Sequence, residues 1–382
     1  MTKYGNLGVD PKKKGIEVFN STSGIYKHSF CSIHPDPLRK GFGFVHHVDS
    51  AGSIIVQNYL NFKETGKIEA FRGIAQNTLA MNIGDIFCVG VPLSISFADY
   101  VAINPFRVPK EDVLKILAED WNKQFKMLKR YEIEINLSGG ETADLPDIIK
   151  TLDVSGTVYA TYKLDSVITG EDIKPGDDII GLPSGGKAKY ERAAAGSLMS
   201  NGLMLARHSL MKPELAVKYP EIYEKDVEYA GRFGPKDKVE GIKGTIGKEL
   251  TRPTRIFAPV FKGVIEKFKG DVHGIVYDTG GGNTKCLRIG KNVKYVKNNM
   301  PDPPPIFKLI KKEGNVPWRE MFNDLNMGVG AEIITSAEVS EEASKFIQRE
   351  FKIEASKIGE CRRARGKNKL RLETRYGNFN FK

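Results

Sequence analysis

Between residues 93 and 137 the sequence switches from the period of a strand to the period of a helix and back. Leu93 to Ala102 reads as a strand. From Pro109 to Tyr131 the apolar residues Val113, Leu114, Leu117, Trp121, Phe125 and Leu128 recur at three- and four-residue spacing, which is one buried stripe of an amphipathic helix. Pro109 suits the start of that helix, where its missing N–H breaks no hydrogen bond. Ile133 to Leu137 is again strand-like. A strand–helix–strand succession asks for a sheet with helices packed on it, so the expected fold class is α/β (α+β) rather than a helical bundle.

The same grammar extends in both directions. Gly43 to Val48 alternates as a strand, the turn Asp49-Ser50-Ala51-Gly52-Ser53 follows, and Ile54 to Tyr59 reads as a second strand. Residues 69–89 predict a helix and Thr151 to Leu164 a β-rich run. Ile168 to Pro175 is polar and turn-prone, and Asp178 to Leu182 opens a new strand. Beyond it come a helix after Arg255, a strand at His273–Tyr277, the stiff segment Pro301–Pro305, and helices around Ile306–Lys312 and Ser340–Gln348. At roughly 150 residues per domain, 382 residues divide into two mixed α/β domains, 1–170 and 171–382. The stretch from about Pro220 to Arg252 is charged and Gly-interrupted, the signature of a functional or inserted loop.

Composition excludes several classes. Hydrophobic residues at 40% are enough for packed cores, which rules out global disorder. No apolar run approaches the roughly 18 residues of a spanning helix, and the first residues have no apolar signal-peptide core, so a cytoplasmic protein with no membrane partner is expected. The formal charge of +11 concentrates at Lys12-Lys13-Lys14 and between Arg362 and Arg371. Without stacking aromatics or a nucleic-acid module these read as solvated faces, and no nucleic-acid partner is expected. Cys31, Cys88, Cys286 and Cys361 form no CxxC pair, which argues against a thiolate zinc site. His46 and His47 are adjacent on a strand and so point to opposite faces.

Three glycine turns stand out: Ser138-Gly139-Gly140-Glu141-Thr142, Pro183-Ser184-Gly185-Gly186-Lys187 and Thr279-Gly280-Gly281-Gly282-Asn283. Each is either a tight connection or a place where backbone N–H groups approach an anion. Gly181 to Lys187 fits G-x-x-x-x-G-K, but Ala188 stands where a P-loop needs a hydroxyl and Pro183 removes an N–H, so a P-loop is not expected. Asp49, Asp85, Glu141 and Asp144 sit beside such turns. Converging there, they would suit a hard cation and a triphosphate; singly, each reads as a cap or surface acid.

Five motifs, in order, resemble the phosphoribosylformylglycinamidine cyclo-ligase (aminoimidazole ribonucleotide synthetase) family. Tyr4 to Asp10 is similar to its Tyr-x-x-x-Gly-Val-Asp start, and Gly139 to Pro146 to its Gly-Gly-Glu-Thr-Ala-Glu-Met-Pro. Pro253-Thr254-Arg255-Ile256 matches its Pro-Thr-Arg-Ile, Asp271 to Gly282 its glycine motif, and Asn326 to Gly330 its Asn-x-Gly-Val-Gly. Phe71 to Gln76 resembles a segment of the longer members.

The resemblance implies an N-terminal domain whose strands pair with a second subunit as an intersubunit β-barrel in a homodimer, beside a C-terminal α/β domain. It implies ATP-dependent ring closure of formylglycinamidine ribonucleotide in purine biosynthesis, with ATP and Mg2+ as cofactors. By position it implies Asp49, Asp85 and Glu141 as metal carboxylates. Gly52, Ser53, Gly139, Gly140, Thr142, Gly280 and Gly281 would bind the nucleotide, and Asp49, Asn201 and Arg255 would be catalytic. The chain departs from the family pattern at Ile54 (a lysine in the family), Asn77 (an aspartate), Gly84 (an asparagine), Met199 and Tyr277 (histidines). Lys187, Lys285 and Arg288 are the candidates to replace the lost cation. Two other readings stay open beside the cyclo-ligase: a related ATP-using enzyme with another acceptor, and a non-catalytic paralogue that binds nucleotide or a partner.

Overall fold

The computed structural model describes residues 2–9, 24–200 and 202–382. Asn201, Asp10 and Lys12-Lys13-Lys14 lie outside the described residues. After a single helical turn, α1 (Lys3–Asn6), the first sheet is built from β1 (His34–Pro35), β2 (Phe42–Ser50), β3 (Ser94–Ile103), β4 (Asn136–Asp144) and β5 (Leu152–Lys163), in the order β1-β2-β5-β3-β4. β2 and β3 run antiparallel to β5, whereas β4 joins β3 in parallel through the crossover helix α4 (Lys110–Lys129). The expected strand–helix–strand unit is therefore real. Its helix turns Val113, Leu117, Trp121 and Leu128 inward, and Phe97 of β3 meets Trp121 edge-on with ring centroids 6.0 Å apart.

Helices α2 (Ile54–Thr65), α3 (Ile74–Phe87) and α4 belong to this sheet. The expectation of a strand at Ile54–Tyr59 is corrected: these residues open α2. The β-branched start Ile54-Ile55-Val56 favours a strand locally, but Ile54, Ile55, Tyr59 and Leu60 are all buried at helical spacing. Gly66, at φ +69, ends the helix in the left-handed conformation that suits glycine. Tertiary burial overrides local propensity here. A second correction concerns Gly139 and Gly140, which lie inside β4 and not in a turn, where a register shift between Phe97 and Asp99 of β3 accommodates them. The sheet is open, with β1 and β4 at its edges, so no closed barrel forms within one chain.

The second sheet holds β6 (Asp178–Pro183), β7 (Val272–Tyr277), β8 (Val293–Lys297), β9 (Val329–Thr335), β10 (Ser356–Arg363), β11 (Lys369–Thr374) and β12 (Gly377–Phe381), in the order β12-β11-β8-β10-β6-β9-β7. β6, β7 and β9 are almost wholly buried. Helices α5 (Leu203–Leu210), α6 (Pro213–Lys218), α7 (Ile246–Leu250), α8 (Ala258–Lys267), α9 (Pro305–Glu313), α10 (Trp318–Asp324) and α11 (Ala337–Phe351) surround it. The basic tail forms β10 and β11: Arg362, Arg363 and Arg371 face solvent while Cys361, Leu370 and Leu372 face the core. After β6 the next helix starts only at Leu203, so the Gly181–Lys187 segment has no helix N-terminus for a phosphate. Among the described residues no helix is long and apolar enough to cross a membrane.

Candidate active site

β2 sends His47 and Asp49, two residues apart, to the face of the sheet that the helices cover, and His46 to the other. There His47 and Asp49 meet the last turns of α3. Asn82 ties the two elements together: its Nδ2 donates to the Asp49 carbonyl at 3.1 Å, and its Oδ1 lies 3.1 Å from His47 Nδ1. His47 Nε2 is 3.3 Å from Asp85 Oδ2. Beyond Asp49 the chain turns sharply, with the Ser50 N–H donating to Asp49 Oδ1 at 2.8 Å and the Gly52 N–H to Ser50 Oγ at 3.1 Å. Gly52 has φ +68, and a Cβ there would come within 3.3 Å of the Ser200 carbonyl.

The second sheet and the turn after its strand β7 close this corner. β7 runs into Thr279-Gly280-Gly281, where Gly281 has φ +93, and a 3-10 helix follows over Gly282–Arg288. A Cβ on Gly282 would lie 2.3 Å from the Leu325 carbonyl oxygen, so this turn tolerates only glycine. From the short helix Lys285 reaches back, hydrogen-bonded to Thr279, and places Nζ 3.7 Å from Asp85 Oδ1. That carboxylate oxygen has no hydrogen-bond partner although it is buried. Beneath the turn, the fully buried Lys297 pairs with Glu332 and donates to the Asn283 carbonyl at 2.9 Å. Asp278 lies beside them with both carboxyl oxygens unpartnered.

The charges in this corner hold one another. Burial alone would lower His47, but the hydrogen bond and charge of Asp85 outweigh it and raise His47 above its ordinary value. Burial would raise Asp85, yet Lys285 and His47 keep it below the usual carboxylate range. Asp49 is pushed up by burial and then by the neighbouring Asp85 charge. Two carboxylates that repel each other, one with an orphaned oxygen, fit a hard divalent cation. Cys31, His47 and Asp85 also bring donor atoms within 4.8 Å of one another. Burial and then Asp85 push the Cys31 thiol well up, so it stays protonated and is a poor metal ligand.

Asp49, Asp85 and Lys285 therefore meet at one corner, with Gly52 and Ser53 in the turn that follows Asp49 and Gly280 and Gly281 in the turn that follows β7. Gly139, Gly140, Glu141 and Thr142 do not join them within one chain. Glu141 pairs with Tyr100, Tyr100 with Ser155 and Ser155 with Ser50, three strand spacings or about 14 Å from the Asp49 turn. Arg255 is brought near but turned away: its guanidinium forks onto Glu191 at 2.9 and 3.1 Å and donates to the Pro183 carbonyl at 2.7 Å, leaving the side chain 1% exposed. His47 was readable in the sequence only from its two-residue spacing to Asp49. Lys285 was one of three candidate cations in the sequence, and no local signal set it apart from Lys187 and Arg288.

No family model matches the chain. The phosphoribosylformylglycinamidine cyclo-ligase of Methanocaldococcus jannaschii is 35% identical over 289 residues, 76% of this chain and 71% of that protein. The enzyme of the same name from Methanococcus maripaludis (strain C6) is 34% identical over 359 residues, 91% of this chain and 88% of its own. The chain belongs to the phosphoribosylformylglycinamidine cyclo-ligase family. Solved structures with the same fold as this cyclo-ligase relative include hydrogenase maturation protein HypE in complex with ATP (TM-score 0.53, 15% identity, 89% of this chain and 84% of that one). AaThiL complexed with AMPPCP and TMP matches with TM-score 0.51 at 10% identity over 96% of each chain. T. maritima PurL complexed with FGAR matches with TM-score 0.53 at 12% identity over 97% of this chain; the chain spans about half, 49%, of that protein.

Proposed function

We propose that the protein catalyses ATP-dependent ring closure of formylglycinamidine ribonucleotide to aminoimidazole ribonucleotide, the cyclo-ligase step of purine biosynthesis, in the cytoplasm. The observation that carries the reading, beside family membership, is the meeting of Asp49 and Asp85 with Lys285 across the domain boundary. ATP transfers its γ-phosphoryl group to the formamide oxygen and leaves as ADP. The amidine-side nitrogen then attacks that carbon, the C–O bond breaks with loss of phosphate, and a proton leaves the nitrogen as the ring becomes aromatic. The enzyme's contribution is position and charge.

Asp49 and Asp85 hold Mg2+, which when bound neutralises phosphate charge. Lys285 supplies the cation that a lysine at position 54 supplies elsewhere in the family. Ile54 carries no charge and is instead fully buried in the core at the start of α2. The Gly280 and Gly281 N–H groups face the phosphates, and Gly52 and Ser53 line the nucleotide turn. Asn77 is 1% exposed and accepts the Thr254 N–H at 2.7 Å, so it fixes the Pro253–Arg255 strap where the family has a metal carboxylate. Asn201 and Arg255 belong on the substrate side, Arg255 once freed from Glu191.

The homodimer completes the site. The helix-free face of the first sheet exposes Val48, Tyr100 and Tyr159 at 68%, 38% and 40%, and β4 leaves one edge unpaired. A second copy paired there covers that face and brings its own Gly139–Thr142 segment, with Glu141, to the Asp49 corner. The test is product formation from formylglycinamidine ribonucleotide with MgATP. Aminoimidazole ribonucleotide and stoichiometric phosphate are expected. ATP turnover with this acceptor absent and another required, or no MgATP binding at all, would defeat the reading.

A further inference from the structure

Behind the first turn of α3 lies a cavity of about 1000 Å3 that is lined by none of Asp49, Asp85, Lys285, Gly52, Gly280 and Gly281. It is walled by α2, α3 and α4 of the first domain and, from the second, by residues 190–195 and parts of the 235–253 loop. Its wall carries nine Lys and Arg side chains against three Asp and Glu, and the acids are largely spent. Asp120 already takes Arg72 at 2.9 Å and Lys123 at 3.2 Å, and Glu191 takes the Arg255 fork. Lys67, Lys126, Arg130, Arg192, Lys236 and Lys248 have no ion-pair partner among the described residues. Between them the floor is apolar: Met127, Pro253 and Ile256. Unpaired cations around an apolar floor, at a volume suited to a small organic ligand, are the complement of a planar apolar group carrying phosphate.

We propose that this cavity is a second ligand site, which binds a nucleoside phosphate outside the catalytic corner. Gln76 at the cavity and Asp85 at the corner are about 13 Å apart along α3, so a phosphate group held among the cavity's cations is not the one held at the corner. The two sites share a strap. Gln124 donates to Gln76 at 3.0 Å, Gln76 to the Thr254 carbonyl at 2.8 Å, and the Thr254 hydroxyl lies 3.0 Å from that of Ser200, the residue packed on Gly52. The cavity also gives a role to the charged 220–252 loop, whose Lys236, Lys248 and Arg252 form one wall.

The proposal does not rest on the cyclo-ligase reading, and its test keeps the two apart. 5′-AMP is titrated calorimetrically into the wild type, the exposed-rim double variant Arg130→Glu/Lys248→Glu, and Asp85→Asn, with circular dichroism checking that each is folded. Expected are saturable AMP binding to the wild type, retention in Asp85→Asn, and weakening of at least about tenfold in the rim variant, with binding falling as salt is raised. A rim variant that unfolds is replaced by Arg192→Gln/Lys126→Gln, for which the same loss is expected. No AMP binding, AMP binding unchanged by rim reversal, or loss in Asp85→Asn would overturn the proposal. So would a single-stranded oligonucleotide that binds more tightly than AMP and is lost in the same rim variant, since the groove would then be a nucleic-acid surface.

Discussion

The ring of Tyr277 occupies the place where a side chain on Gly84 would begin: a Cβ built there would lie 2.3 Å from Tyr277 Cε1. Two departures from the family pattern, glycine for asparagine at 84 and tyrosine for histidine at 277, are thus one packing change. Tyr277 is fully buried, and its hydroxyl donates to the Arg255 carbonyl at 3.3 Å. Asp85, the next residue, keeps its place at the corner. The substitutions rebuild the wall behind the site without removing its carboxylates.

That relationship predicts coupling. Gly84→Ala should lower stability by about 1–3 kcal/mol, because the buried ring has nowhere to go. Gly84→Asn combined with Tyr277→His should cost less than the sum of the two single changes. Chemical denaturation of the wild type, the three single variants and the double variant checks both statements; additive losses would show that the two positions are independent.

Lys285→Met should leave the fold intact and weaken MgATP-dependent turnover by roughly two orders of magnitude, the scale on which a charge-stabilising group at the transition state acts. Lys285→Arg should recover part of it. Steady-state kinetics with MgATP titrations decide the matter, and a fully active Lys285→Met would move the missing cation elsewhere.

Glu141→Gln and Asp85→Asn should each be inactive alone. If two copies share a site, mixing the purified variants and allowing subunits to exchange should restore activity, because hybrid dimers contain one intact corner. Sedimentation of a Tyr159→Glu variant should show monomers. Failure of the mixture to regain activity would remove Glu141 from the partner's site.

Lys297 is buried and charged, raised well above its ordinary value because the surrounding Cys286, Glu332 and Asp278 outweigh the burial that would lower it. Lys297→Met should therefore destabilise the second domain by about 3–5 kcal/mol, since it strands Glu332 in the core. Adding Glu332→Gln should recover much of the loss. Thermal unfolding of the single and double variants measures it.

A pH dependence follows from His208. Burial, then the neighbouring Arg207 charge, press it down to about 4, and it is held neutral beside the Glu228 carbonyl at 3.2 Å. The unfolded chain binds this proton near pH 6.5, so the contribution is complete above that value and is lost as pH falls toward 4. The loss is about 3 kcal/mol. His208→Gln should flatten the stability profile across that window in denaturant titrations at several pH values.

The sequence by itself determined the elements whose periodicity is long and unambiguous, α4 and the strand before it above all; the strand after it was expected at Ile133–Leu137 and runs instead over Asn136–Asp144. It also determined the turn-prone break at Ile168 to Pro175, which lies between the last strand of the first sheet and β6, and the order of motifs that marks the family. A buried stripe repeated over five turns admits one secondary structure. Local pattern failed where burial acts from a distance: Ile54-Ile55-Val56 favours a strand, and only the surrounding core makes it the start of a helix. Tertiary structure alone decided the site. Asp49 and Asp85 are 36 positions apart and Lys285 is another 200 beyond, and no periodicity joins residues that meet because elements of two sheets pack together. Packing also buries Ile54 at the start of α2 and turns the Arg255 guanidinium inward onto Glu191 and the Pro183 carbonyl. Those outcomes depend on what fills the space around each side chain, which the order of residues along a chain does not state.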